Sequence, residues 1–451
     1  TTNLKLRKIN GKEEIQVSGL PENPKISYIS WSPNDKKILF ANTANSGVEL
    51  WVLDVASAKA TKLTEANVNA NLGNPFSWFL DNETILVKML PKNRKPLLDS
   101  KKDLPTGPII SNTTGEKSQN RTYPDMLKNK NDEINFENCI TSELYKVKLN
   151  GDIVLFKEAA MFSGERISPD GNYIMLTTIQ KPFSYVVPLD RFPFKTIVYD
   201  SRGKEIKTIN DVPLNEIMPK GFMAVRKGKR EMTWRSDKPA TLFYVTALDE
   251  GDPANKVEFR DEVFLWDAPF DKEASSLLKT PQRFSDITWG NDNLAVVSDE
   301  WYDTRNTKTY LINPANPSQQ PKVITDRNSQ DVYSDPGIFE TRKNEYNKYV
   351  LAIEKDNLYR IADGYTKDGQ FPFIDEFNSK TLQSKRLYTS LYKDKKEDIL
   401  EIEDFKSGKV LVKIQSKSEY PNYYFRNIKK QNSLTPITDF KNPFESIKNV
   451  S

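Results

Sequence analysis

The chain has 451 residues, of which 37% are hydrophobic and 11% aromatic, and its 66 basic and 62 acidic residues give a net charge of +4. This length suits one large repeat domain or two to three ordinary domains, and the composition favours a β protein with long polar loops over a large α/β core. The nearly balanced charge gives no reason to expect a nucleic-acid partner. Because the chain contains no histidine, it cannot assemble a Ser-His-Asp triad, a Cys-His pair or a histidine-based metal site.

The single cysteine, Cys139, excludes a disulfide within the chain. This suits a reducing compartment, or an exported protein that does not use disulfides, so cytoplasmic, periplasmic, secreted and plastid locations all stay open. No apolar run reaches the roughly 18 residues that indicate a membrane span. Thr1 is not a start residue and no signal peptide follows it, which predicts a processed or engineered N-terminus.

The clearest pattern lies between Ile29 and Leu63 and predicts two hairpins in series. Ser32–Asp35 and Asn45–Gly47 consist of residue types that favour turns. The four strands predicted around these turns are Ile29–Trp31, Ile38–Phe40, Glu49–Val55 and Thr61–Leu63. Four short antiparallel strands, with a turn about every 8–12 residues, are typical of one blade of a β-propeller.

Similar units recur to the end of the chain. They are predicted to open at Phe76, Arg166, Met232, Ile287, Tyr349 and Asp398. The sixth unit is predicted from Tyr349–Glu354 and Leu358–Ile361, and the seventh begins with Asp398–Ile402. The second unit is interrupted at about residues 91–137 by an insertion rich in Lys, Pro, Asn and Asp, for which we predict a long loop with a short helix near Tyr123–Lys128.

The predicted fold is therefore all-β. It is a seven-bladed β-propeller of four-stranded antiparallel blades, a single domain over residues 1–451 with a long insertion in an early blade. The spacing of the units, roughly 45–90 residues, is irregular and longer than the repeats of compact propellers. Six or eight blades, and an array of β-sandwiches that does not close, are the alternatives.

A basic segment, Val225–Arg235, precedes the strand that opens the fourth unit. Its cations include Arg226, Lys229 and Arg230, and Glu231 is its only acid. Cations at this density are suited to binding a carboxylate, which Arg can do with two parallel hydrogen bonds. The segment is a candidate site for an acidic ligand, and the alternative is a solvated loop or a set of ion pairs within the chain.

A second candidate is the loop Ser298–Thr309. It combines Trp301, Tyr302 and Arg305, and mixed aromatic and cationic surfaces are common where peptides bind. The alternative is that Trp301 packs in the core.

A third candidate, Asp326–Gly337, carries Asp326, Asp331 and Asp335. Calcium binding is one interpretation, but the spacing does not match an EF-hand loop, so Asx turns are favoured. The sequence has no Gly-rich phosphate loop and no Gly-x-Ser-x-Gly elbow. Cys139 has no histidine to activate it, so it is interpreted as an idle thiol. These observations predict a non-catalytic propeller with no catalytic residue, cofactor or metal.

Four stretches carry a resemblance to a known family. They are KPFSYVVPLDRFPFKTIVYDSRGK at Lys181–Lys204, VRKGKREMTWRSDKPATLFYV at Val225–Val245, DEWYDTRNTKTY at Asp299–Tyr310 and DRNSQDVYSDPG at Asp326–Gly337. Together they resemble the N-terminal propeller of the glutamyl endopeptidases, which belong to the prolyl oligopeptidase family of serine peptidases. The insertion at Pro96–Glu133 is similar to the long loop of that family, and the resemblance spans nearly the whole chain.

The resemblance implies a serine endopeptidase of two parts, in which the propeller covers a C-terminal α/β-hydrolase domain that carries Ser, Asp and His. That domain is absent from this chain, which stops at DFKNPFESIKNVS, about where the linker to it begins in the family. The implied role is to gate the access of peptides, cleaved after Glu or other acidic residues, to the hydrolase domain. A Glu side chain needs a cation, and the candidates on this chain are Arg226, Lys229, Arg230 and Arg305.

Two other functions stay open. One is a stand-alone propeller that binds a protein or peptide. The other, less favoured, is a propeller enzyme such as a glycosidase or lyase, which requires paired acids that face one channel.

Overall fold

The computed structural model describes residues 1–9, 11, 13–99, 123–430 and 433–443. Within them, seven four-stranded antiparallel sheets follow one another along the chain, each with its strands in sequence order. We number these sheets blades 1 to 7. The predicted all-β fold of seven four-stranded propeller blades is confirmed, while closure of the blades into one ring stays a prediction.

The chain divides into two compact units, the first ending at Lys279 and the second beginning at Thr280 apart from short excursions. The first unit holds blades 1 to 4. Their strands are Ile26–Trp31, Lys37–Ala44, Gly47–Asp54 and Lys59–Lys62; Phe76–Trp78, Thr84–Met89, Ser142–Lys148 and Ile153–Ala160; Phe162–Ile167, Tyr173–Ile179, Phe194–Asp200 and Glu205–Val212; and Arg230–Trp234, Thr241–Ala247, Asp261–Asp267 and Ser275–Thr280.

The second unit holds blades 5 to 7. Their strands are Arg283–Asn291, Leu294–Trp301, Asn306–Ile312 and Lys322–Asn328; Ile338–Phe339, Asn357–Ala362, Phe373–Asn378 and Ser384–Thr389; and Lys396–Asp404, Lys409–Gln415, Asn422–Asn427 and Ser433–Pro436. Smaller elements accompany the blades. They are the hairpins Lys5–Arg7/Glu14–Gln16, Thr341–Lys343/Tyr349–Leu351 and Tyr365–Thr366/Gly369–Gln370, the helix Lys130–Ile140, and 3-10 turns at Leu189–Arg191 and Val332–Ser334.

The blades share local chemistry that the turn sequences encode. In blade 1 the Ser32 hydroxyl donates to the Asn34 side chain, and in blade 3 the Ser168 hydroxyl donates to Asp170, which closes the same turn between the first two strands. Neighbouring blades are joined in the same way as well. The indole of Trp78 donates to the carbonyl of Ser30 in the blade before it, as the indole of Trp234 does to its own neighbour.

Apolar layers lie between successive blades within each unit. Leu39 and Leu50 of blade 1 pack with Ile85 and Val87 of blade 2, and similar layers join blades 2 and 3, 3 and 4, 5 and 6, and 6 and 7. Such layers form because successive side chains of a strand point to opposite faces of the blade, and both faces carry apolar side chains. Each face must therefore be covered by a neighbour.

The two edges of each blade differ. The strands of a blade have two ends, and connecting loops lie at both. We use the name long-loop edge for the end at which the second strand joins the third and the fourth strand leads to the next blade. In the first unit the connections 63–75, 90–141, 180–193, 213–229 and 248–260 all lie at this edge. Binding residues are often carried on loops that a rigid scaffold positions, so this edge is where a site is expected.

Two predicted elements are wrong. Tyr349–Leu351 pairs with Thr341–Lys343 in a separate hairpin, and blade 6 opens instead with Ile338–Phe339. The helix of the insertion is Lys130–Ile140 rather than Tyr123–Lys128. Asn129 caps this helix by accepting from the backbone N–H of Asp132 at 2.9 Å. In the described part of the chain, no helix is long and apolar enough to span a membrane.

Candidate functional site

The end of the insertion is fixed to the long-loop edge of blade 3. The ring of Phe136, on the helix Lys130–Ile140, makes edge-to-face contacts with Phe183 and Phe192, with centroids 5.1 and 5.9 Å apart. Two polar contacts flank this aromatic cluster: the Lys181 ammonium lies 2.6 Å from a carboxylate oxygen of Glu137, and the phenol of Tyr185 donates to the helix. The insertion therefore ends in a docked helix, and the sequence predicted only a loop over most of it.

The predicted basic segment lies where blade 3 leads into blade 4. Arg230 opens the first strand of blade 4, and its buried guanidinium forms an ion pair with the fully buried Asp261 of the third strand. Arg235 directly follows the first strand of blade 4, pairs with Asp237 at 2.7 Å and is also buried. For these two residues the structure bears out the interpretation of ion pairs within the chain.

Arg226 and Lys229 are half-buried on the same loop. The Arg226 guanidinium stacks on Phe194 at 5.2 Å and donates to the carbonyl oxygen of Lys229. Burial, with a smaller contribution from Arg230, lowers the pKa of Arg226 to about 10. The Lys229 ammonium donates to the carbonyl of Ile209 at 3.1 Å and lies over aromatic rings of blade 4, and burial lowers its pKa. These cations hold the loop in place, and their role toward a ligand stays a prediction.

The predicted aromatic loop lies at the long-loop edge of blade 5. Trp301 ends the second strand and is half-buried, while Tyr302 is exposed. The Arg305 guanidinium stacks on the Tyr302 ring with 3.5 Å between the cation and the ring centroid. Within the described residues, no carboxylate lies within ion-pair distance of Arg305, and its role toward a ligand stays a prediction.

The structure brings the six predicted residues together in two groups of three. Arg226, Lys229 and Arg230 belong to the first unit, and Trp301, Tyr302 and Arg305 to the second. Each group lies at the long-loop edge of its own blade.

A buried polar network under the blade 5 loop was not predicted. Asp299 is fully buried and accepts hydrogen bonds from the Gln282 backbone N–H at 3.1 Å and the Tyr310 hydroxyl at 3.1 Å. Burial raises the pKa of Asp299 to about 6 although these hydrogen bonds oppose the shift. The Gln282 amide also donates to Asn306 at 2.6 Å, which links the network to the end of the loop. The available sequence signal was Asp299 itself, a polar residue at a strand position where the alternation of side chains predicts burial.

A second unpredicted pair crosses from blade 2 to blade 3. The Lys88 ammonium lies 3.5 Å from a carboxylate oxygen of Glu165 and donates to the carbonyl of Leu72. Burial lowers the pKa of Lys88 and raises that of Glu165, so desolvation outweighs the attraction between the two charges. No sequence signal joins them, because the two residues belong to different blades.

The acidic segment is explained in part by Asx turns. Asp331 accepts from the backbone N–H of Tyr333 at 3.1 Å, and Asp335 accepts from that of Gly337 at 3.0 Å. Asp326 differs, because it lies in a strand and accepts from the side chain of Asn306. Over the described ranges, no three His, Cys, Asp or Glu residues are grouped as a metal site requires.

Cys139 lies on the helix of the insertion. Its thiol is half-buried and 3.9 Å from the Arg94 guanidinium. A separate cavity of about 590 Å³ opens between blades 2 and 3 and is lined by residues that include Phe79, Lys146 and Asp170. The six predicted residues do not line this cavity.

No family model matches the sequence. A probable chloroplastic glutamyl endopeptidase of Oryza sativa subsp. japonica is 33% identical over 468 residues, which cover 98% of this chain and 49% of that protein. This chain is thus similar to a glutamyl endopeptidase along nearly its whole length. A second probable chloroplastic glutamyl endopeptidase, from Arabidopsis thaliana, is 32% identical over 97% of this chain and 48% of that protein. The predicted resemblance to this branch of the prolyl oligopeptidase family is confirmed over almost the whole propeller, which spans about half the length of the curated relatives it matches.

Solved structures are more distant from this propeller. Dipeptidyl peptidase 4 of Porphyromonas gingivalis aligns with a TM-score of 0.47 and 12% identity over 90% of this chain and 52% of that chain. The propeller domain of the Trilobed protease of Pyrococcus furiosus aligns with a TM-score of 0.41 and 8% identity over 93% of this chain and 99% of that chain. The resemblance to glutamyl endopeptidases rests on the sequence relatives alone.

Proposed function

We propose that this glutamyl endopeptidase-like propeller is the non-catalytic half of a serine endopeptidase and that it gates the access of peptides to an α/β-hydrolase domain. The observation that carries the proposal is the similarity along 98% of the chain to only 49% of a probable glutamyl endopeptidase. The other half of such a protein is left to supply the catalytic groups. This agrees with a chain that has no histidine and therefore no Ser-His-Asp triad of its own.

The substrate class that we propose is acidic peptides. Among the predicted cations, Arg305 is the best candidate on this chain for a substrate carboxylate. Arg230 already pairs with Asp261, and Arg226 is committed to a backbone carbonyl and a ring. Arg305 is half-buried on a loop whose residues 302–304 are exposed. Stacking on Tyr302 orients its planar guanidinium for two parallel hydrogen bonds.

The first test compares the full-length protein that contains this chain with the chain alone. Fluorogenic peptides with a single Glu, and matched peptides with Gln, are the substrates. We expect the full-length protein to cleave the Glu peptide and to be inhibited by a serine-directed reagent, whereas the chain alone leaves both peptides intact. Hydrolysis by the chain alone would contradict the proposal. A native protein that ends with this chain and binds peptides without cleaving them would favour the stand-alone binding module.

The second test replaces Arg305 in the full-length protein. Loss of a charge-assisted hydrogen-bond pair costs roughly 1.5–3 kcal/mol, so Arg305→Ala should lower kcat/KM for the Glu peptide about 10–100-fold and change that for the Gln peptide much less. Arg202→Ala is the matched control, because Arg202 is an exposed arginine at the opposite edge of blade 3. Equal losses on both peptides would show that Arg305 does not read the carboxylate.

A further inference from the structure

The fourth strand of each blade lies at one side of its sheet, and we call it the outer strand. In blade 2 this strand, Ile153–Ala160, begins with an unusual surface. Ile153, Val154 and Leu155 are consecutive apolar residues, and they are 45%, 62% and 40% exposed. In the other six outer strands, over the part of the chain that the structure describes, at most one large apolar residue is exposed, as Val323 is in blade 5. Exposed apolar edges attract another strand, and proteins usually cover or charge them.

The backbone of this edge is ready to pair. Ile153, Val154 and Leu155 lie opposite Val147, Lys146 and Tyr145. At the hairpin turn the backbone N–H of Lys148 donates to the carbonyl of Asp152 at 2.8 Å. Because hydrogen-bonded and non-bonded pairs alternate along an antiparallel ladder, Val154 bonds inward to Lys146. The N–H and C=O groups of Ile153 and Leu155 therefore point away from the blade.

Blade 1 shows what covers such an edge in this molecule. The chain at Ser18 runs beside the outer strand Lys59–Lys62, where the Ser18 N–H donates to the carbonyl of Ala58 at 2.9 Å and the Ala60 N–H donates to the carbonyl of Ser18 at 2.8 Å. A single parallel bridge thus covers part of this edge of blade 1. In blade 2, no described residue makes such a contact with the backbone groups of Ile153 and Leu155.

We infer that blade 2 pairs with blade 2 of a second copy of this chain, across a twofold axis at Val154. The edge is self-complementary, because the two outward residues lie symmetrically on either side of Val154. In an antiparallel pair, Ile153 of each copy faces Leu155 of the other, and four backbone hydrogen bonds form between the copies. The apolar side chains then face one another, and no like charges lie opposite within the three-residue segment.

The segment that can pair is bounded on both sides. Asp152 belongs to the hairpin turn, and the register shifts after Leu155. Beyond that shift Phe156 packs against Gly203 of blade 3, and the Lys157 ammonium donates to the carbonyl of Gly203 at 2.7 Å. A longer foreign strand would meet this turn, whereas the short symmetric segment fits. This inference concerns a surface apart from the proposed peptide site and does not depend on the proposed function.

The test is sedimentation velocity of the full-length protein up to about 100 µM, a concentration at which complexes with micromolar Kd are assembled. We expect the mass of a dimer. Val154→Lys and Val154→Glu should each give monomers, because identical charges then meet across the axis, and an equimolar mixture of the two variants should restore the dimer. Val323→Lys is the matched control, since Val323 is 50% exposed on the outer strand of blade 5, and it should leave the dimer intact.

A covalent readout tests the axis itself. In the proposed pair Val154 faces Val154 in a non-hydrogen-bonded position, where Cα atoms are about 4.5 Å apart, within the range of a disulfide. In a Cys139→Ser background, Val154→Cys should therefore oxidise to a covalent dimer, whereas Val323→Cys should not. A monomeric wild type at 100 µM, or a dimer that Val154→Lys leaves unchanged, would overturn the inference.

Discussion

The buried ion pair of blade 4 gives a prediction that separates stability from ligand binding. The Arg230 side chain is 8% exposed and the Asp261 side chain 0%. Arg230→Ala therefore leaves a buried carboxylate without this counter-ion, and removal of one partner from a buried pair costs about 3–5 kcal/mol. The same loop offers a control, because Lys227 and Glu250 form an ion pair of 2.7 Å in which the side chains are 72% and 70% exposed.

Thermal unfolding measures the difference. An unfolding entropy of about 2.1 cal/mol/K per residue, applied to 451 residues, makes 1 kcal/mol correspond to roughly 1 °C in Tm. Arg230→Ala should therefore lower Tm by about 3–5 °C, and Lys227→Ala should lower it by less than about 1 °C because exposed pairs contribute little. Calorimetry of the wild type and both variants at one pH provides the comparison.

The same variants decide what the basic segment does. If Arg230 holds the blade together, then Arg230→Ala should weaken binding of Glu and Gln peptides by the same factor. A variant that keeps the wild-type Tm and loses affinity for the Glu peptide alone would refute the structural argument. It would mean that the guanidinium faces a ligand rather than Asp261.

Three further predictions rest on other elements. Burial raises the pKa of Asp299 from 3.8 to about 6, so the unfolded chain ionises Asp299 first, and stability falls as the pH rises from about 4 to about 6 and then levels off. The gain in unfolding free energy from Asp299→Asn should therefore grow by about 2 kcal/mol between pH 4.5 and 8 in urea titrations. A pH-independent gain would show that Asp299 is not protonated in the fold. Gly251→Ala should lower Tm more than Gly228→Ala. Both glycines have positive φ, but only at Gly251 would a Cβ clash with the carbonyl oxygen of Val225. Equal losses of Tm in the two variants would contradict this prediction. Phe136→Ala should undock the insertion helix and speed its proteolysis. Because the ring is half-buried, Tm should fall by less than about 3 °C. An unchanged cleavage rate would show that the aromatic cluster does not hold the helix.

Much of the blade architecture could be predicted because it is local. In blade 1 the predicted strands Ile38–Phe40 and Glu49–Val55 overlap the observed Lys37–Ala44 and Gly47–Asp54. Alternating apolar residues and turn-forming Asn, Asp and Gly act over a few positions, so they can be recognised without knowledge of the neighbouring blades. Prediction failed at Tyr349–Leu351, where the pattern of a strand is correct but its partner is Thr341–Lys343 rather than blade 6.

The candidate site was predictable in position but only partly in role. The sequence placed Arg226, Arg230 and Arg305 in loops or at strand ends, as the structure has them. It could not tell a paired cation from an unpaired one, because Asp261, which neutralises Arg230, is 31 residues away and reaches it only when blade 4 forms.

The sequence by itself determined the class of fold, the succession of blades and the similarity to glutamyl endopeptidases, since all three depend on short patterns of residues along the chain. Only the tertiary structure decided which charges are neutralised, which polar groups are buried and which strand edge is left open. Lys88 meets Glu165, and Ile153–Leu155 stay exposed, because of how whole blades pack. Burial and pairing are properties of surfaces brought together from distant parts of the chain, and local periodicity does not encode them.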